Sequence, residues 1–241
     1  MIVLIGTGHV FDLSSSLIRT FDEKNPDIIC VELDKQRYNA IMIKRNNPEA
    51  FKEDRKNLPF IYKLLARFQE NLANEYGVSA GDEMLTAINY AQSHQIPVEF
   101  IDMNAQHLFT KMWRSMPFSE KFRLLFSGVG GLFISKKRVE EELKNFQKDF
   151  DSYIEKIGEK FPTIKKTLID KRNEYMANRL AKLNEHYQNI ISCIGDGHIP
   201  GMSKLLEEKK IEYKVIRLAE LRNMKDTNPT SGQFSVNYKP R

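Results

Sequence analysis

One local pattern is written twice in the chain. Residues 2–10 read Ile-Val-Leu-Ile-Gly-Thr-Gly-His-Val and residues 191–199 read Ile-Ser-Cys-Ile-Gly-Asp-Gly-His-Ile, with identity at five of the nine positions. Each copy is an apolar run of strand length that stops at Gly-x-Gly-His. Many residues can end a buried strand, so repetition of both glycines and the histidine asks for a further reason. Polar side chains in the turns at the carboxyl ends of buried strands are where α/β proteins build their sites. Two of only five histidines, His9 and His198, are delivered in this way.

The pairing of a first strand with one near residue 191 argues for one domain, and 241 residues are enough to bury a sizeable core. No run approaches the roughly 18 apolar residues of a membrane span, and Met1 to Ile5 lack the basic start and cleavage site of a signal peptide. A soluble, cytoplasmic protein without a membrane span is expected. Net charge is +5, but residues 136–186 intersperse 13 Lys/Arg with 10 Asp/Glu along helical periods. That is the pattern of solvated helix faces, so no nucleic-acid partner is expected. Cys30 and Cys193 are the two cysteines, both inside apolar runs, and read as reduced core thiols.

Along the chain, Asp12 and Ser14 to Ser16 precede a helix with Leu13, Leu17, Ile18 and Phe21 on one face. Asn25-Pro26 ends it. The run 27–33, Asp-Ile-Ile-Cys-Val-Glu-Leu, predicts a buried parallel strand with Glu32 at its carboxyl tip. A right-handed strand–helix–strand unit would open Glu32 on the same sheet edge as the first Gly-x-Gly-His turn. Helices are expected at 35–45, 60–76 and 80–93, and a third strand over 97–102 ends in Asp102. From 104 to 187 no strand is evident; the region predicts a long helical insertion punctuated by Pro117, the glycines of 128–131, Gly158 and Pro162. A helix at 200–209 and a last strand at 212–218 complete an α/β fold with a central, mostly parallel sheet flanked by helices. Residues 1–227 form that single domain, and 228–241 an irregular tail.

His9, His198 and Glu32 form the constellation with the most chemistry. Two imidazoles and a carboxylate can hold a divalent metal ion while leaving positions open for water or substrate, the arrangement of metal-dependent hydrolysis. Glu83, in the first turn of its helix, or Asp102 could carry the proton, and Arg37 would orient a carboxylate or bind an anionic group. Manganese, cobalt and zinc all suit such donors. The plainer alternative has each histidine bonding a loop at a helix start and Glu32 paired with Arg37. For one Gly-x-Gly-His that alternative would win, but two copies with an acidic strand end between them favour a shared site. His94, His107 and His186 read as ordinary surface or boundary residues. Gly6-Thr7-Gly8 satisfies neither nucleotide fingerprint, because Phe11 stands where a dinucleotide site needs glycine or alanine, and no Gly-Lys-Ser/Thr follows.

These residues resemble the TraB family of pheromone-shutdown type proteins, and more distantly the Tiki and GumN-like metalloproteases. The family's Gly-Thr-x-His-Val is matched by Gly6 to Val10. Its Pro-Asp-x-x-x-Val-Glu-Leu-x-x-x-Arg-Tyr is matched by Pro26, Asp27, Val31, Glu32, Leu33, Arg37 and Tyr38. Gly81, Glu83, Met84, Ala87, Ile88 and Ala91 match a third block, and the likeness continues through Asp102, Trp113, Arg172 to Ala177, and Gly195 to Gly201. Met103 stands where the family usually has arginine, and Lys171 where it usually has an acid. The resemblance implies a divalent ion, discussed as manganese or cobalt, held by His9, His198 and Glu32 with Glu83 next, and peptide cleavage. The expected function is a metal-dependent hydrolase acting as a peptidase. The alternative is a non-catalytic regulatory protein that binds a peptide or small molecule in the same pocket, and a third, weaker reading is phosphate or nucleotide binding at the glycine turns. Phe118, Phe122, Leu125 and Phe126 are expected to pack internally, with a homodimer as the alternative partner.

Overall fold

The computed structural model describes residues 1–8, 12–46, 82–131, 156, 158–224 and 237–238. They fall into two compact units, one of residues 1–104 and 175–241, the other of residues 105–174.

The first unit is an α/β fold around five parallel strands, in the order β3-β2-β4-β1-β5, closed on one side by an antiparallel β6. The strands are β1 (Ile2–Thr7), β2 (Ile28–Val31), β3 (Val98–Phe100), β4 (Ile190–Gly195), β5 (Tyr213–Ile216) and β6 (Asn237–Tyr238). Thus the tail expected to be irregular contributes a two-residue edge strand. The apolar runs of β1, β2 and β4 lack alternation because both of their faces are buried.

Helices cover each face. On one side Val3, Ile5, Ile29, Val31, Ile191 and Cys193 pack beneath α1 (Ser14–Lys24), α3 (Asp82–Ser93) and α9 (Leu218–Asn223). On the other, Ile2, Leu4, Ile28, Cys30, Ile190 and Ile194 pack beneath α7 (Lys171–Leu183) and α8 (Ile199–Glu208). In α1 the buried seam is Leu13, Leu17 and Phe21, four residues apart; Ile18, expected on the same face, is turned about 100° from Leu17 and lies exposed. Asp12 Oδ1 accepts from Ser14 N–H at the start of α1, but the N-cap position is Leu13, which makes no side-chain cap bond, and Ser14 to Ser16 lie inside the helix. At α2 (Lys35–Asn46), Asp34 Oδ1 accepts from the N–H groups of Gln36 and Arg37. The helix expected over 60–76 lies outside the described residues.

The second unit is helical in its described residues, with α4 (Ala105–Ser115), α5 (Phe118–Gly131), α6 (Pro162–Lys165) and a π-helical turn at Lys166–Asp170 that leads into α7. Pro117 and Pro162 interrupt the helices as expected, but α5 runs on through Gly128 and Gly130. A glycine costs a helix interior about 1 kcal/mol, which discourages the helix there without ending it. Buried Glu120 of α5 accepts from the backbone N–H of Thr163 at 3.2 Å and from its hydroxyl at 2.9 Å, capping α6. Phe118 and Phe122, expected to pack internally, are instead 82% and 53% exposed. The side chains of Leu125 and Phe126, the other two residues of that expected cluster, lie outside the described ones.

Among the described residues no helix is long and apolar enough to cross a membrane.

Candidate functional site

β1 and β4, the strands of the two repeated segments, are direct neighbours. Their register is Gly6 beside Ile194 and Thr7 beside Gly195, one residue out of step with the sequence repeat. In a sheet a one-residue step reverses the face: Ile5 of the first copy packs under α1 and α3, whereas its equivalent Ile194 packs under α7 and α8. The repeat is therefore one of local chemistry, with the equivalent side chains sent to opposite sides.

The turns are braced across this offset. Thr7, buried at the end of β1, donates its hydroxyl to the Ile194 carbonyl of β4 at 3.2 Å. In the opposite direction Asp196, the variable residue of the second Gly-x-Gly-His, lies over Gly6 of the first. A Cβ on Gly6 would come 2.0 Å from Asp196 Oδ1 and 3.0 Å from its Cγ. Any side chain at position 6 would force the Asp196 side chain to move, and glycine avoids that.

β2 lies on the other side of β4, and Glu32 meets the second turn. Glu32 N–H donates to the Cys193 carbonyl at 3.0 Å, continuing the strand pairing by one step. Its side chain turns along the end of β4, where Oε2 accepts from Gly195 N–H at 2.6 Å and Oε1 stands 3.4 Å from His198 Nε2. Only 10% of the Glu32 side chain and 6% of the His198 side chain are exposed, so this carboxylate–imidazole pair is largely shielded from water. His198 closes a three-residue 3-10 turn, Asp196–His198, in which Ile199 N–H donates to the Asp196 carbonyl. Pro200 then occupies the first turn of α8, where its missing N–H costs nothing.

Asp102 follows β3 at the same sheet edge and is buried. Its Oδ1 accepts from Met103 N–H at 2.7 Å, and its Oδ2 stands 3.7 Å from Arg37 Nη1. Arg37 therefore serves Asp102, in contrast to the alternative that pairs it with Glu32. Glu83 is buried in the first turn of α3, as the sequence suggests, and its charge helps to raise the pKa of Cys193. His94, His107 and His186 are exposed. His9 lies outside the described residues.

Cys30 and Cys193 lie on paired strands but face opposite helical layers, and both are free thiols. Burial pushes both well above the ordinary thiol range, with Cys193 adding to the rise at Cys30 and Glu83 to that at Cys193. They are core residues and not nucleophiles.

Sequence reasoning missed Arg217. It follows β5 and reaches across the sheet edge to Asp196, with Nε 3.0 Å from Oδ1 and Nη2 2.7 Å from Oδ2. Asp196 Oδ1 also accepts from Leu218 N–H at 2.8 Å, which caps α9. An arginine at the carboxyl end of the last parallel strand and an aspartate in the repeated turn were the available signal.

The edge thus gathers the ends of all five parallel strands: Thr7 and Gly8 from β1, Glu32 from β2, Asp102 from β3, His198 from β4 and Arg217 from β5. The chain is an α/β protein whose strand ends carry acidic, basic and histidine side chains, at the edge where α/β proteins in general build their ligand sites. Residues 1–215 match the model of the TraB/PrgY/gumN family, and the chain belongs to that family. It is 28% identical over 216 residues to an uncharacterized protein of Methanocaldococcus jannaschii, a match that covers 88% of this chain and 54% of the relative. The chain therefore spans about half the length of that relative. Among solved structures it is similar to ChaN of Campylobacter jejuni, described for cofacial heme binding, at 13% identity and a TM-score of 0.36, covering 90% of this chain and 80% of that one.

Proposed function

We propose that the chain is a metal-dependent hydrolase that cleaves peptides, with its centre at Glu32 and His198. The observation that carries this reading is the shielded carboxylate–imidazole pair. Two ligands about 2.1 Å from one tetrahedral ion stand about 3.4 Å apart, the spacing of Glu32 Oε1 and His198 Nε2. The Gly195 N–H on Oε2 is the kind of outer hydrogen bond that orients a ligating carboxylate. Two donors are a partial set, and among the described residues no group of three or more His, Cys, Asp or Glu is arranged to hold an ion. His9, two residues beyond the end of β1 in the sequence and outside the described residues, is the third ligand in this reading.

Glu32 and His198 would hold manganese, cobalt or zinc, and the bound ion would supply Lewis acidity toward water and a substrate carbonyl. Glu83 or Asp102 would move the proton. Arg37, with Nη1 3.7 Å from Asp102 Oδ2, would direct that carboxylate. Metal identity follows from supply and geometry as much as from donor type. Residence in the cytoplasm and a homodimer remain expectations of the same reading.

The competing function is a non-catalytic protein that holds a peptide or small ligand at this edge. Elemental mass spectrometry separates the two. Wild type and the Glu32→Ala and His198→Ala variants are loaded anaerobically with each ion, desalted, and then offered a peptide library. Near-stoichiometric metal and peptide cleavage in the wild type alone support the hydrolase. A folded wild type that retains no ion and cleaves nothing overturns it in favour of the binding protein.

A further inference from the structure

We propose that Asp196 and Arg217 are positioning residues for His198, forming a latch that seats the second Gly-x-Gly-His turn on the first. This deepens the hydrolase reading and rests on it for the role given to His198.

Three contacts carry the inference. The Asp196 carboxylate is gripped on both oxygens, by Arg217 Nε and Nη2 in a two-pronged pair and by Leu218 N–H. A fork of this kind fixes direction as well as distance. The same carboxylate rests on Gly6, with no room for even a methyl group between them. Last, Ile199 N–H donates to the Asp196 carbonyl, so the backbone on both sides of His198 is tied to residue 196. Only two peptide units separate Asp196 from His198, and the turn between them is closed. A shift of the carboxylate is therefore passed to the imidazole, whose separation from Glu32 is 3.4 Å.

Each element of the latch comes from a different part of the fold: β1 supplies the floor, the turn after β4 the carboxylate, and the end of β5 the clamp. Glu220, in the first turn of α9, accepts from Arg217 N–H at 3.4 Å and holds the clamp's own backbone. The arginine is 37% exposed at its side chain, whereas the aspartate is 17% exposed. The clamp thus faces outward and the carboxylate inward, as a part that aligns a site from behind would do. An ordinary surface ion pair contributes little; this one differs because the carboxylate is seated against backbone that carries the first turn.

The test uses the full chain with Asp196→Ala, Asp196→Asn, Arg217→Ala and Arg217→Lys. One readout is the His198 imidazole Cε1–H resonance in the metal-free protein; the other is equilibrium binding of manganese and cobalt. The expected result is a shifted resonance and a loss of ion affinity of about tenfold or more in both alanine variants, with Arg217→Lys recovering part of each. Should the alanine variants fail to fold, Asp196→Asn and Arg217→Lys carry the same readouts. Folded variants with lowered stability but wild-type resonance and ion affinity would overturn the proposal and leave a merely structural pair. A wild type that binds no ion while the variants still shift the His198 resonance would sink the hydrolase reading and leave the latch standing.

Discussion

Glu32 Oε1 faces His198 Nε2 at 3.4 Å while its second oxygen is held by Gly195 N–H at 2.6 Å. The carboxylate bridges the start and end of one turn, so removing it has two separable effects. Glu32→Ala leaves the Gly195 N–H without its acceptor, and a lost hydrogen bond to a charged group costs about 1.5–3 kcal/mol. Glu32→Gln keeps an acceptor for that N–H but no charge beside His198. Urea titration should show Glu32→Gln close to wild type and Glu32→Ala clearly less stable, while both lose divalent-ion binding.

Gly6→Ala places a methyl group 2.0 Å from Asp196 Oδ1, against a side chain clamped by Arg217 and Leu218. Overpacking of this kind costs about 1–3 kcal/mol. Asp196→Gly in the same chain should return part of that loss, and a double-mutant cycle measures the coupling. Additive effects would show that the two residues do not meet.

The thiols of Cys30 and Cys193 are buried and shifted upward by that burial. Dithiobisnitrobenzoate at neutral pH should release almost no chromophore from the folded chain. In denaturant it should report both cysteines, and the rate at intermediate denaturant should follow unfolding.

Burial, and then the hydrogen bond from its hydroxyl to Asp22 Oδ1 at 2.7 Å, push Tyr90 up to about 12. The folded state holds this proton longer than the unfolded state. Stability from Tyr90 is therefore complete below about pH 10, the unfolded tyrosine value, and falls as pH rises from there through about 12. Tyr90→Phe should flatten that decline, read as the difference between two urea series from pH 9 to 12.

Much of the architecture could be read from the order of the residues, since unbroken apolar runs at β1, β2 and β4 mark strands buried on both faces. The meeting of Glu32 with His198 followed from placing both at carboxyl ends of parallel strands. What could not be read was lateral order. With β4 inserted beside β2, Glu32 is carried to the second turn, and with β3 outside β2, Arg37 finds Asp102. Strand order is decided by packing among distant segments, so local pattern holds little record of it. Arg217 escaped for the same reason. Phe118 and Phe122 show the converse, because spacing names the residues of a helix face and does not say what covers it.

β4 separates β1 from β2, although the chain makes those two first. Until residue 190 has been synthesised, the two early strands have no shared hydrogen-bonded neighbour, and each presents a bare edge to other chains. At about 5–20 residues per second, that interval lasts on the order of ten seconds, long enough to make an attending chaperone useful. Glu32 waits through all of it for the turn that receives it, and Asp196 waits further for Arg217. The set of contacts at this edge is therefore incomplete in a nascent chain until β5 has emerged.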